Sequence, residues 1–298
     1  MRGLKLDGPV ALRPIVKERV WGVERLPKWY PQPEPGRPVG EAWLTAAECE
    51  AETGETLGEL ARGNPAAFGA DTNGFPLLIK MLFPREKLSV QVHPNDAEAQ
   101  ALGHPRGKTE CWYIVQAEPG ATVAVGLKEP MTGEQVRAAI ADQTLEGKLR
   151  HLPVKAGDMV YVDAGTVHAI GPGVTVLETQ EYSDITYRLY DYGRPRELHV
   201  EHGLAVVRNS NEAGLLAPVA KHGFVRLVAS PYFVVDRFSV DGEAELGDVG
   251  KMQILVALED GCSVGTTALP AGWAVVVPAA ETAYRLRGVG EVVRIAQG

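Results

Sequence analysis

The sequence is short of cysteine, of long apolar runs and of positive charge. Its 298 residues include three cysteines, Cys49, Cys111 and Cys262, with no CxxC pair among them. That odd, scattered set disfavours a disulfide framework and a cysteine-type zinc finger, and makes a reducing, cytoplasmic location the expectation. The longest apolar runs, such as 273–277 (WAVVV), fall far short of the roughly 20 residues a membrane helix needs, so no membrane partner is expected. The opening MRGLKLDGPVALRP is broken by charge and proline and has no apolar core, so no secretory signal is expected either. Lys and Arg number 30 against 38 Asp and Glu, a formal charge of −8 with a pI near 5.5. An acidic balance argues against nucleic acid as the main partner.

What is present is ordinary apolar content and an excess of turn formers. Hydrophobic residues make up 45% of the chain and charged residues 23%, enough for a full core. The 33 glycines and 21 prolines exceed the usual share of about 12% for the two together. A chain that turns this often favours many short strands over long helices. The expected strands are 77–83, 88–93, 110–116, 121–127, 158–163 and 174–180, β-branched or aromatic runs between Gly, Pro and Asn-Asp turns. The clearest helix is 131–149, where Thr132 can cap, Glu134 sits in the first turn, and Val136, Ala139, Ile140 and Leu145 form a stripe. Weaker helical patterns lie at 56–69 and 199–208.

An internal echo argues for two similar halves. YIVQAEPGATVAVG (113–126) and AGDMVYVDAGTVHAI (156–170) have counterparts in ILVALEDGCSVG (254–265) and AGWAVVVPAAETAY (271–284). Gly157 aligns with Gly272, and His168 with Ala283, so the second copy keeps strands and turn but not the polar side chain. A break near 210–220 divides the halves, giving expected domains of 1–215 and 216–298.

Three segments carry candidate chemistry. On the strand LSVQVH, Gln91 and His93 are two apart, so the pleat points both to one face and Val90 and Val92 to the other. Such a face is either bathed in water or lined with partners. In GKTECWY, Lys108 and Glu110 share a strand face with Trp112, as an exposed ion pair or as part of a site. An Ala-Gly turn after 157–163 lifts His168. Taken together, Gln91, His93, Glu110 and His168 supply two imidazoles, a carboxylate and an amide oxygen, a set that suits zinc or another borderline divalent ion with a position left open. A fourth segment, LETQEYSDITYRLYDYGR (177–194), holds Asp184, Arg188, Asp191 and Arg194. An arginine there can hold a phosphate or a developing oxyanion, or belong to a surface charge ladder. Glu178 and Gln180 bring this strand back toward the His168 turn. The remaining histidines, His104, His151, His199, His202 and His222, are assigned no role.

FPLLIKMLFPREKLSVQVHPND, GKTECWY, AGTVHAIGPG and SDITYRLYDYGR, with GEAWL at 40–44, resemble in order the motifs of type I mannose-6-phosphate isomerases, zinc enzymes of the cupin superfamily. The resemblance covers roughly 40–200, and the C-terminal third is similar to the degenerate second cupin of short bacterial members. It implies a mainly β fold of two cupin-type (jelly-roll) β-barrels with short helical inserts, the second barrel lacking metal ligands. It implies one zinc ion per chain on Gln91, His93, Glu110 and His168, Arg188 as the active-site arginine, and Lys108 and Asp184 lining the pocket. The implied partner is a small sugar phosphate and the implied reaction is the interconversion of mannose 6-phosphate and fructose 6-phosphate. Two positions depart from the pattern: Gly107 stands where some members have His, and Asp163 where the cupin turn usually has Pro. Competing readings are a non-catalytic sugar-binding or regulatory cupin and an Fe(II) oxygenase built on two histidines and a carboxylate.

Overall fold

Antiparallel strands dominate the fold, as so turn-rich a composition requires. The computed structural model describes residues 8–209, 213–247, 250–281 and 283–298. Among these, no helix is long and apolar enough to cross a membrane. The chain separates into two units, one formed by Arg19–Val23 and Leu82–Leu216, the other by the chain up to Glu18, Glu24–Met81 and Ala217–Gly298. Residues 24–81, expected within a 1–215 domain, therefore group with the C-terminal residues. Pairing explains why: Val10–Leu12 lies antiparallel against Ala274–Val277, Tyr30 Oη donates to Gly272 O at 2.6 Å, and Ala279 N donates to Ala67 O at 2.8 Å. The expected break near 210–220 includes residues 210–212, which lie outside the described residues.

The 82–216 unit is built from two sheets. A five-stranded sheet runs in the order Tyr187–Tyr190, Val90–Val92, His168–Ile170, Thr122–Leu127 and Leu149–Pro153. The second contains Gly214–Leu216, Met159–Val162, Glu110–Ala117 and Val174–Glu181 as successive neighbours. One core forms where their inner faces meet: Trp112, Ile114, Val160, Val162 and Val176 pack with Val123, Val125 and Ile170. A second core covers the outer face of the five-stranded sheet, where Val90, Val92, Ala124, Ala169 and Leu189 meet Val136, Ala139, Ile140 and Leu145 of the helical insert. Burial of each large aliphatic side chain contributes about 1.5–3 kcal/mol. Because side chains alternate along a strand, committing Val90 and Val92 to the outer core turns Gln91 inward.

The insert differs from a single helix over 131–149. It forms Gly133–Ala141 and Leu145–Lys148, then passes directly into the strand Leu149–Pro153. Gln143, with φ of +61°, interrupts the helical ladder between the two. Thr132 caps the first helix reciprocally with Gln135: its hydroxyl accepts from Gln135 N at 3.2 Å, and Gln135 Oε1 accepts from Thr132 N at 2.8 Å.

In the other unit one antiparallel sheet runs Val10–Leu12, Ala274–Val277, Gln253–Ala257, Ala283–Gln297, Phe233–Gly247, Phe224–Ala229 and Val219–Lys221, with Cys262–Val264 and Thr267–Leu269 attached. Two 15-residue strands pair from Phe233↔Gln297 to Gly247↔Ala283. Gly157 and Gly272, aligned by the internal echo, both adopt positive φ, +89° and +71°, a conformation that glycine takes without steric cost.

Candidate metal centre

Register brings the candidate side chains together in the 82–216 unit. Gln91 lies opposite both His168 and Arg188 on neighbouring strands, and Glu110 lies opposite Gln180. Gly165 N, in the turn before His168, donates to His93 O at 2.8 Å, so one hydrogen bond ties the two histidine segments. Asp163 serves this turn where proline was expected, because its Oδ1 accepts from Thr166 Oγ1 at 2.7 Å and its carbonyl from Thr166 N at 3.2 Å.

His93, Glu110 and His168 are buried, and one ligand-type atom from each lies within 4.8 Å of the others. His168 Nε2 stands 3.4 Å from Glu110 Oε1, and His93 Nε2 stands 3.7 Å from Glu110 Oε2. Tetrahedral ligands about 2.0–2.1 Å from a zinc ion stand about 3.3–3.4 Å apart, so these spacings are close to what the ion requires. Glu110 Oε1 accepts from Trp112 Nε1 at 3.0 Å, whereas Glu110 Oε2 is buried with no well-aligned hydrogen bond. The cation that meets this buried oxygen is the Lys108 ammonium, 3.1 Å away. Two imidazoles and a carboxylate converging in one buried place are a donor set that fits a divalent ion.

The histidine orientations agree with that fit. His168 Nδ1 is 2.9 Å from Thr166 O and donates to it, which leaves the Nε2 lone pair facing Glu110. Burial pushes the His168 imidazole down to about 4, so it is neutral, the form that ligates a metal. Gln91 Nε2 lies 3.2 Å from His168 Nε2 while its amide oxygen is 3.4 Å from Ser89 Oγ. A half-turn of the amide presents the oxygen to the same point.

Lys108 projects into this cluster. Its Nζ is 3.1 Å from Glu110 Oε2 and 3.2 Å from His93 Nε2, with the side chain 5% exposed. That removes the reading of Lys108 and Glu110 as a solvated surface pair. Burial alone would lower the Lys108 ammonium, but the charges of Glu110, Glu178 and Asp184 more than offset it and raise the group above its ordinary range. Glu178, buried and opposite Trp112 across the sheet, is thus part of the site's electrostatics. The sequence signal for it was slight, one carboxylate in a strand that returns to the His168 turn.

Of the remaining candidates, Arg188 is half-buried, with Nη1 donating to Glu197 O at 2.7 Å and its backbone N to His199 Nδ1 at 3.2 Å. Its Nε is a buried donor with no hydrogen bond among the described residues. Asp184 is exposed and acts on Lys108 through its charge. Arg194 is committed elsewhere, to Asp191 at 3.2 Å, Lys87 O at 2.6 Å and Glu86 at 3.6 Å. His199, assigned no role from the sequence, holds the Arg188 backbone. His104, His151, His202 and His222 are exposed.

The family model described as the catalytic domain of type I phosphomannose isomerase matches residues 10–126. The mannose-6-phosphate isomerase of Streptococcus mutans is 36% identical over 256 residues, covering 80% of this chain and 81% of that protein. Mannose-6-phosphate isomerase ManA of Bacillus subtilis is 36% identical over 265 residues, with 80% and 81% covered. A crystal structure of the Bacillus subtilis mannose 6-phosphate isomerase superimposes with a TM-score of 0.88 at 30% identity, covering 97% of this chain and 99% of that one. A putative mannosephosphate isomerase from Archaeoglobus fulgidus shares the fold with a TM-score of 0.79 at 22% identity, covering 98% and 99%.

Proposed function

Since this chain belongs to the mannose-6-phosphate isomerase family, we propose that its buried His93, Glu110 and His168, with Gln91, hold one zinc ion and that the site interconverts mannose 6-phosphate and fructose 6-phosphate. The observation that carries this reading is the convergence of two imidazoles and a carboxylate within 4.8 Å, beside a buried lysine. Bound there, the ion supplies Lewis-acid polarisation of a substrate oxygen.

The chain's own groups do the rest. Moving a proton between C1 and C2 of an open-chain sugar develops negative charge on an enediol oxygen. In this reading Arg188, whose Nε has no hydrogen bond among the described residues, donates to that oxygen, and as a guanidinium it stays charged at any working pH. Lys108 supplies a second fixed positive charge for the substrate phosphate or the same oxygen. Asp184, at the exposed rim, balances Lys108. The Thr166 carbonyl orients His168 through Nδ1, and the Trp112 indole fixes Glu110.

In this reading both units are cupin-type jelly-roll barrels, and the second lacks ligands because Ala283 replaces the histidine. The three cysteines are buried and unpaired, which fits a reducing, cytoplasmic setting. A coupled assay converting mannose 6-phosphate, run beside free mannose, tests the assignment. Turnover of the phosphorylated sugar supports it. Binding without turnover would favour a regulatory sugar-binding protein, and oxygen uptake with iron would favour an oxygenase.

A further inference from the structure

The site's two cationic side chains are fixed in different ways. Lys108 is braced through its neighbours: Gly107 N donates to Asp96 Oδ1 at 2.7 Å, and Thr109 N donates to Glu181 Oε2 at 2.8 Å. A Cβ on Gly107 would lie 2.4 Å from Asn95 C and 2.6 Å from Asp96 N and Pro94 O, so this approach excludes a side chain. Arg188 has less support from its own sheet. It lies on Tyr187–Tyr190, the outermost strand of the five-stranded sheet, which pairs on one side only, with Val90–Val92. A register shift between Arg188 and Tyr190 interrupts even that ladder.

The open edge is covered by the chain that follows it. Arg188 N donates to His199 Nδ1 at 3.2 Å, and His199 N donates to Arg188 O at 2.7 Å. Together they reproduce one rung of an antiparallel ladder, with an imidazole nitrogen standing where a strand would offer a carbonyl. A backbone N–H can only donate, so Nδ1 accepts and the neutral ring carries its proton on Nε2. Glu197 O accepts from Arg188 Nη1 at 2.7 Å. The residues on either side are engaged as well. The Tyr187 ring stacks on His202 with centroids 5.3 Å apart. Leu189 meets the helix Val200–Val206 at Gly203, where a Cβ would lie 2.4 Å from Leu189 Cδ2.

We infer that His199 is a positioning residue for Arg188: segment 197–203 splints the edge strand, and His199 fixes the arginine through both its backbone N–H and its C=O. The bonds to His199 and Glu197 engage Arg188 N, O and Nη1, while Nε is buried with no hydrogen bond among the described residues. The splint therefore holds the backbone and one end of the guanidinium and leaves Nε for the substrate. His199 reaches the chemistry only through Arg188, and a small displacement of a group that must meet a reacting atom is costly in rate.

This inference rests on the proposed role of Arg188 for its effect on turnover, though not for the splint itself. The test compares wild type, His199→Ala, His199→Asn, whose Oδ1 can stand in for Nδ1, Arg188→Ala, and the double variant of His199→Ala with Arg188→Ala. Two quantities are read in protein supplied with zinc: kcat and KM for mannose 6-phosphate, and hydrogen-exchange protection of the Arg188 amide. His199→Ala should lose about ten-fold in kcat with KM within about two-fold, because the arginine acts on charge that develops in the transition state. His199→Asn should return kcat to within about three-fold of wild type, and in the Arg188→Ala background His199→Ala should cost nothing further. Protection of the Arg188 amide should fall in His199→Ala and return in His199→Asn. If His199→Ala does not fold, His199→Gln, whose acceptor sits one methylene further out, replaces it in the same comparison. Normal kcat in His199→Ala, an equal loss with and without Arg188, or unchanged protection of the Arg188 amide overturns the inference. Normal turnover in Arg188→Ala, or none in wild type, removes the proposed function instead, and the exchange data alone then decide whether His199 holds Arg188.

Discussion

At Glu110 the two carboxylate oxygens have different tasks. Oε1 accepts from the Trp112 indole, and Oε2 faces Lys108 and His93. Replacing Glu110 by Gln keeps the shape but removes the charge. The expected outcome is zinc affinity reduced by two or more orders of magnitude, read by competition with a chelator, because the remaining ligands are neutral. Arg188→Ala should retain zinc and fold while kcat drops about 10²- to 10³-fold, the size of losing one donor to a developing oxyanion. Retention of normal turnover would remove Arg188 from the chemistry. His168 gives a pH prediction for the metal-free protein. Its native imidazole titrates near 4 against an ordinary value of about 6.5. Between these values the unfolded chain binds a proton that the native state does not, so stability is complete above about 6.5 and falls on acidification toward 4. The shift corresponds to about 3 kcal/mol. Urea titrations at pH 7 and 4.5 should differ by most of that, and His168→Phe should lessen the difference.

Among the elements, Val90–Val92 shows how much chemistry a three-residue strand can specify. The alternation Val-Gln-Val was legible in the sequence because two valines must bury together, and the structure seats both in the outer core with Gln91 turned inward. The His168 turn was legible for the same reason, a strand followed by Ala-Gly. Asp96 and Glu181 were not legible. They are 85 positions apart in the sequence, their partners are backbone N–H groups, and no periodicity marks a carboxyl that accepts from a distant backbone. The 131–149 helix was legible in its cap and stripe, but not in its interruption at Gln143, which depends on Thr144 N reaching Ala139 O at 2.9 Å. Grouping of residues 24–81 with the C-terminal strands was hidden too, because pairing partners more than 200 residues apart leave no local signal. Two substitutions test the element scale. Thr132→Ala should lower stability by about 1 kcal/mol through loss of the cap. Gly107→Ala should cost about 2–3 kcal/mol by forcing backbone against backbone and should loosen zinc binding, both readable by thermal melts with and without metal.

On the scale of the whole molecule, the two units place polar groups in their interiors for different ends. In the unit containing the C-terminal residues, Arg294 is buried with Nη2 2.7 Å from Asp236 Oδ2, while Arg226 also bonds Asp236. The Arg294 guanidinium lies over the Phe224 and Phe238 rings at 5.4 and 4.9 Å. This is a satisfied structural network, and among the described residues it contains no group of metal ligands. Arg294→Ala should cost about 1.5–3 kcal/mol, because Asp236 loses one charged hydrogen-bond partner and keeps Arg226, with zinc stoichiometry unchanged in the protein that remains folded. The net charge of −8 sets the same division for ligands. It opposes anions over the surface at large, so a sugar phosphate depends on local cations, and Lys108, Arg188 and the proposed ion are the ones the site offers. The most direct test of that account is isomerisation of mannose 6-phosphate by protein stripped with a chelator, then reconstituted with one equivalent of zinc per chain and checked by metal analysis. The account predicts turnover lost by at least 10²-fold on stripping and restored at one zinc per chain. Full turnover by metal-free protein would contradict it.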